Sequence, residues 1–325
     1  MNKEIKLNRL KFALTPQMFD MTVDGSAAYD TNAREFYQKA VIGQDSVRSM
    51  FRQFTGIKDR VKVGLTEFDS LITAGDCEPD FSNSTISQKT FEVCPLMYAT
   101  NFCVDSLENS FVSDELKAGS NNWSEPQPFM NYFYEVLGNK AAEELAILSF
   151  QGQVNNPAFT GTSAYLATCD GLEYQLSAST SVLKPATATT VNSNNVILKL
   201  IEARNAVPTA VRKKSDFVYI VSTNVWDALA DAVSENKSSG LYYIEAEDLK
   251  FQGTRIIRAD EASDNVIIAG ALSNFVNVTD LDADSKGWNV VDFMKTTLSR
   301  KIGIRSDFKL KVSFLVDEEI YFHRA

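Results

Sequence analysis

Residues 124–152 run SEPQPFMNYFYEVLGNKAAEELAILSFQG. Ser124 and Gln127 fit a capping box, in which a hydroxyl and a side-chain amide serve backbone N–H groups that no preceding turn can satisfy. Pro126 or Pro128 suits a first helical turn, where a missing N–H costs nothing. Phe129, Phe133, Val136, Leu137, Ala141, Leu145 and Leu148 then fall on one side of a helix that Gly152 ends. At about 1.5 Å per residue, such a helix is roughly 35 Å long. Gly138 sets against its continuity a cost of about 1 kcal/mol relative to Ala.

Upstream of this helix, the first sixty residues read as an arm. Thr31 or Asn32 can cap a helix through Phe36, Tyr37, Ala40 and Val41 that stops at Gly43. A second helix is expected from Asp45 or Ser46, with Val47, Met50, Phe51 and Phe54 on one face and Gly56 at its end. Arg60 to Leu65 and Lys89 to Met97 read as strands. Between them lies TEFDSLITAGDCEPDFSNSTISQ, Thr66 to Gln88, too long and polar for an ordinary connection in a compact domain. It reads as a two-stranded excursion projecting from the body. Tyr98 to Leu116 has Phe102, Cys103, Leu107, Phe111 and Val112 at broadly helical spacing, with a break near Ser113, and AGSNNWSEPQP follows as a loop.

Downstream of Gly152 the chain reads as loop to Asn195, with apolar residues recurring through a Ser, Thr and Ala-rich tract. A helix is expected over Val196 to Arg204, a strand over Phe217 to Val221, and a helix capped by Thr223 or Asn224 through Trp226, Leu229, Ala230 and Val233. Strands follow over Gly253 to Arg258 and Asn265 to Ala269, and the alternation from Phe293 to Phe322 suggests long paired strands.

The composition of this 325-residue chain, 44% hydrophobic and 23% charged, is that of a folded protein large enough for two domains. With 32 basic and 42 acidic side chains the net charge is -10, which opposes condensation onto a polyphosphate. The one dense basic run, Arg212, Lys213 and Lys214, reads as a solvated turn before a strand. No apolar h-region follows the start and no run approaches ~18 apolar residues, so neither a secretory leader nor a membrane span is expected. Cys77, Cys94, Cys103 and Cys169 are widely spaced without a CxxC and read as buried free thiols of a reducing cytosol.

Enzymatic constellations are missing. His323 is the sole histidine, so histidine-based acid–base schemes and zinc motifs have almost no material, and it reads as structural or solvent-exposed. There is no GxxxxGK[ST], no GxGxxG after a strand and no GxSxG, so no cofactor is expected. Glu143 and Glu144 are helix neighbours about 100° apart, surface or interface charges rather than a dyad. Asp280, Asp282 and Asp284 begin like a calcium loop, but Ser285 and Val291 stand where an EF-hand needs Gly and a bidentate Glu. A polar surface loop is the expectation there, and no metal.

The order of the parts carries a resemblance. AAEELAILSFQGQVNNPAFTGT (Ala141 to Thr162), NVILKLIEARNAVPTAVRKKSDFVYIVSTNVWDALADA (Asn195 to Ala232), LKFQGTRIIRADEASDNVIIAG (Leu249 to Gly270) and TFEVCPLMYATNFCVDSLENSF (Thr90 to Phe111) resemble successive parts of the major capsid proteins of tailed double-stranded DNA bacteriophages. The resemblance implies an α+β protein of the Hong Kong phage-type capsid fold. Its implied parts are an N-terminal arm (1–60), an extended loop with flanking strands (61–97), a peripheral domain with the spine helix (98–152), an axial domain (153–290) and closing strands of the peripheral domain (291–325).

It further implies a non-enzymatic subunit assembling as hexamers and pentamers into an icosahedral virion shell in the bacterial host cytoplasm. That shell encloses DNA without sequence-specific binding and without a membrane, and can engage scaffold, portal and decoration proteins. Crosslinked members of the family join a Lys of the extended loop to an Asn, but Lys89 sits at the base of the loop here, so no crosslink residues carry over. Phe68, Leu71, Ile72, Phe81 and Ile86 are expected to contact an adjacent subunit, the alternative being a loop folded back on its own domain. Two other functions stay open: an encapsulin-type nanocompartment shell and, remotely, a carboxylate-based glycosidase.

The charge makes one prediction. Short duplex DNA should bind no more tightly than a dissociation constant of about 1 μM at physiological salt. Fluorescence anisotropy over a salt series checks this, and tight binding with a steep salt slope would reveal a basic face that the net charge hides.

Overall fold

The computed structural model describes residues 47–68, 84–103, 128–235, 250–280, 289–293 and 301–325, which fall into two compact units. One comprises the described parts of 95–145 and 282–308, the other those of 45–94, 146–281 and 309–325. The long helix, α1 (Pro128–Gln151), starts at a proline as expected and runs for 24 residues to the residue before Gly152.

In the first unit, β4 (Cys94–Cys103) and β10 (Asn289–Asp292) both pair with β11 (Lys301–Phe314). The β10–β11 ladder is antiparallel, with Asn289 opposite Arg305 and Asp292 opposite Ile302. Residues 98–103 are thus strand, not the start of the helix expected over Tyr98 to Leu116, whose remainder lies outside the described residues. Apolar residues at 98, 99, 102 and 103 fit either period, and the ladder to β11, invisible in local sequence, decides between them.

The second unit is built on a five-stranded sheet of order β12-β8-β5-β7-β6. Its strands are β5 (Phe217–Ser222), β6 (Lys250–Phe251), β7 (Thr254–Ala259), β8 (Ile267–Ala271) and β12 (Tyr321–His323). β5 pairs parallel to β7 and antiparallel to β8 and is buried at every position. Its unbroken apolar run FVYIVS is what burial on both faces demands. Phe217, Tyr219 and Val221 pack with Leu200 of α3 (Val196–Ala206) and with Val225 and Leu229 of α5 (Thr223–Glu235). Val218 and Ile220 look the other way, into a cluster with Phe150, Leu172, Phe275, Val312 and Phe314. The basic run ends the short helix α4 (Thr209–Arg212) and enters the turn before β5, with Lys213 and Lys214 exposed.

β1 (Arg52–Phe54) pairs parallel with β9 (Phe275–Thr279), and β9 pairs antiparallel with Leu310 to Phe314. The helix expected from Asp45 or Ser46 is therefore corrected: Val47–Met50 make one 3-10 turn and the chain then extends. A helix of a dozen residues is marginal alone. Here Phe51 stacks on Phe275 at 5.1 Å, and the Asn277 side-chain amide donates to Gln53 Oε1 at 2.8 Å. The loop expected from Gly152 to Asn195 holds a 3-10 segment, Gly161–Ala167, and α2 (Leu172–Ala178), whose Leu172 and Leu176 are fully buried. Seven residues are too few to declare a helical period. His323 is buried on β12, its Nε2 3.0 Å from the Thr189 carbonyl oxygen, and burial lowers its pKa.

The free-thiol expectation is corrected for two of the four cysteines, since Cys94 and Cys169 form a disulfide with their Cα atoms 5.9 Å apart, while Cys77 lies outside the described residues. Cys169 lies in the turn packed on the end of α1. The Gly171 N–H donates to the Gly152 carbonyl at 2.8 Å and the Gln153 N–H to Leu166 at 2.9 Å. A Cβ on Gly152 would collide with the Cys169 carbonyl oxygen and come within 2.8 Å of that of Leu148. Both obstacles are backbone, which cannot rotate away. Gly152→Ala should thus destabilise the protein by about 2–4 kcal/mol. Gly64→Ala, which meets nothing within 4 Å, should change stability little. Urea denaturation of the two variants checks this, and equal midpoints would contradict it.

Candidate assembly interface: the hairpin and its root

Arg60–Phe68 (β2) and Ser84–Glu92 (β3) pair antiparallel through nine residues each, from Arg60 opposite Glu92 to Phe68 opposite Ser84. They form a sheet of two strands, hydrogen-bonded to no third among the described residues. Directly opposed residues share a face. Val61 with Phe91, Val63 with Lys89 and Leu65 with Ser87 therefore make one face; Lys62 with Thr90, Gly64 with Gln88 and Thr66 with Ile86 make the other. The first face is seated at its root: Phe91, 3% exposed, packs with Val276, Val278 and Leu315, and Val61, Val63 and Leu65 lie partly buried against the same cluster.

Polar contacts reinforce the seat. Lys89 Nζ lies 2.6 Å from Asp317 Oδ1 and 4.1 Å from the centre of the Phe314 ring. Ser179 Oγ donates to the other Asp317 oxygen at 2.6 Å, so one carboxylate ties hairpin, α2 end and C-terminal segment together. The Val93 N–H donates to the Asp59 carbonyl at 3.0 Å where the hairpin closes. One residue further, Cys94 is bonded to Cys169. Beside that turn, Lys311 Nζ donates to the Asp170 carbonyl at 3.1 Å, and burial lowers its pKa against the raising pull of Asp170 and Glu92. Glu173 is fully buried and desolvation raises its pKa, although Ser263 donates to it from backbone N–H at 2.7 Å and from Oγ.

The structure places the expected contact residues unevenly. Phe68 is the last residue of β2, and Leu71, Ile72 and Phe81 lie outside the described residues. Ile86, a large apolar side chain, stands 73% exposed on the face it shares with Thr66, Gly64 and Gln88. Lys89 was legible only as a residue at the base of the loop. Its partner Asp317 is 228 positions away, a distance across which sequence spacing carries no signal.

Elsewhere, a cavity of about 520 Å³ in the first unit is lined by Ala99, Asn101, Phe293, Ile304 and Arg305 among others. Arg305, the charged residue among the described lining, is paired with Asp307. Among the described residues no cluster suits a metal ion and no helix is long and apolar enough to cross a membrane. Of the calcium-like stretch only Asp280 is described, 3.9 Å from Lys309 Nζ.

No family model matches the sequence, and no curated protein matches it. Solved structures do. A chain of the satellite phage P4 procapsid including size determination (Sid) protein superposes with a TM-score of 0.58 at 11% identity, over 90% of this chain and 98% of that one. The virus-like particle from Pyrococcus furiosus gives 0.54 at 11% identity over the same shares, 90% and 98%. The capsid of an empty GTA particle gives 0.54 at 11% identity, over 86% and 88%. Likeness along nearly the whole of each chain shows the fold: a mixed α+β capsid fold of the Hong Kong phage type.

At the root, the partly buried ion pair and the cation over Phe314 are each worth about 1 kcal/mol. Lys89→Met should lower stability by about 1–2 kcal/mol, and the cycle with Asp317→Asn should show a coupling of about 0.5–1 kcal/mol. Denaturation of the two single variants and the double variant checks this, and strict additivity would show that the pair does not hold the root.

Proposed function

We propose that this chain is a major capsid protein, a structural subunit that assembles as hexamers and pentamers into an icosahedral shell around phage double-stranded DNA. The observation that carries the reading is the superposition on capsid chains along nine-tenths of its length. The hairpin supports it. A two-stranded sheet with one seated face and one uncovered face gains order chiefly by lying across something else, and a symmetric shell supplies a neighbour at every copy. The divisions implied by the resemblance serve as the working anatomy: arm 1–60, extended loop 61–97, peripheral domain 98–152 with the spine helix, axial domain 153–290 and closing strands 291–325. Phe68, Leu71, Ile72, Phe81 and Ile86 are its intersubunit contacts.

A negative subunit suits this role, since a wall that repels phosphate lets the genome slide during filling. Scaffold, portal and decoration proteins are its expected partners, and the host cytoplasm its place of assembly. An encapsulin-type shell is the second reading, favoured by the likeness to the Pyrococcus furiosus virus-like particle. Nucleic acid inside purified particles marks the first; a protein cargo marks the second. The glycosidase reading needs two carboxylates facing each other across a cavity, and none stands among the described residues that line the cavity beside Arg305.

Replacing Thr66 to Gln88 with a short Gly-Ser turn should leave a soluble chain with near-normal helical circular dichroism that no longer forms particles in light scattering. An unfolded product would place the segment in the folding core, and normal particles would remove it from assembly.

A further inference from the structure

The disulfide stands at odds with where a shell subunit folds, because a reducing cytosol keeps thiols as thiols. The two cysteines are nevertheless placed by contacts that do not need the bond. Cys169 sits in the turn held on the end of α1 by the Gly171-to-Gly152 and Gln153-to-Leu166 hydrogen bonds. The Val154 N–H adds a third tie, to Asp170 Oδ1 at 2.8 Å. Cys94 follows a hairpin root fixed by buried Phe91, by the Lys89–Asp317 pair and by the Val93 N–H on Asp59. Their Cα atoms are 5.9 Å apart, within the span a disulfide bridges without backbone movement. Cys94 is partly exposed whereas Cys169 is 5% exposed, so Cys94 is the more accessible of the two.

We propose that Cys94 and Cys169 remain thiols while the subunit folds and assembles, and oxidise to the disulfide after the particle leaves the cytosol. The bond then locks the root of the hairpin to the end of the long helix. The inference rests on the shell reading for its timing and on the local geometry for its chemistry. The oxidant is a low-molecular-weight disulfide. The Cys94 thiolate attacks one of its sulfurs and expels a small thiolate, giving a mixed disulfide. The Cys169 thiolate attacks Cys94 Sγ and expels the second. Two protein thiols are oxidised, one small disulfide is reduced, and the two protein protons end on the released small thiols. The bond closes a loop spanning 75 positions, long enough to remove much freedom from the unfolded chain and to slow loss of the hairpin root.

The test traps thiols with N-ethylmaleimide before the producing cells are lysed and maps them by peptide mass spectrometry. The same mapping is repeated on the purified full-length material after incubation with oxidised glutathione. The expected result is maleimide on both Cys94 and Cys169 before lysis and a linked Cys94–Cys169 peptide afterwards. A linked peptide already present before lysis overturns the timing. Free thiols after incubation, or a link between Cys77 and Cys103 in their place, overturn the lock. Oxidised wild-type material should melt roughly 5–10 °C above the same material reduced with dithiothreitol. Equal melting of the two forms overturns the lock without recourse to any variant. In Cys94→Ser the reductant should shift nothing. Electron microscopy of each sample reads the shell proposal separately: its failure shows as an absence of particles, while the thiol map is still read on the soluble chain.

Discussion

Phe91 is set among Val276, Val278 and Leu315, and the direction of the hairpin depends on that seat. Two strands cannot surround a core of their own, so their pose comes from wherever one end is buried. Here the burial is local. The apolar residues of one face, Val61, Val63 and Leu65, are all partly buried against that cluster, while Ile86 on the opposite face is exposed. The hairpin's anchoring strands, β9 and the end of β11, are themselves covered by the cluster that contains Phe150 of the long helix.

The root combines interactions of different character. Buried apolar area provides most of the hold, at about 25 cal/mol per Å² removed from water. The Lys89–Asp317 pair adds direction more than energy, because partly exposed ion pairs contribute little net stability. The contribution of the cysteine pair depends on the redox state of its surroundings. On the proposed shell role, these three layers leave the hairpin adjustable during assembly and firm after oxidation.

Much of the fold was legible in the sequence where one segment's burial is written in its own residues. FVYIVS announces a strand covered on both faces, and the Ser-Glu-Pro-Gln-Pro start with Gly152 brackets the long helix to within a few residues. Two of the failures share one cause. Val47 to Phe54 and Tyr98 to Cys103 carry apolar spacing compatible with either period, and their strand state comes from partners more than 150 positions away, Val276 to Val278 and β11. Leu172 and Leu176 mark a helix too short to show a period. At the hairpin, the two flanking strands were legible in the sequence, yet the Lys89–Asp317 and Cys94–Cys169 links are matters of tertiary placement that no local pattern encodes. The resemblance bridged part of this gap because it compares the order of elements, which survives when residue identity has fallen to 11%.

The central claim is that this chain is a shell subunit whose hairpin lies across a neighbouring copy. An electron cryomicroscopy reconstruction of particles formed by the full-length chain tests it most directly. The account predicts a closed icosahedral shell in which Ile86 and the tip of the hairpin rest on the adjacent subunit. A hairpin folded back onto its own body, or a chain that stays monomeric at every protein concentration and salt condition, would contradict it.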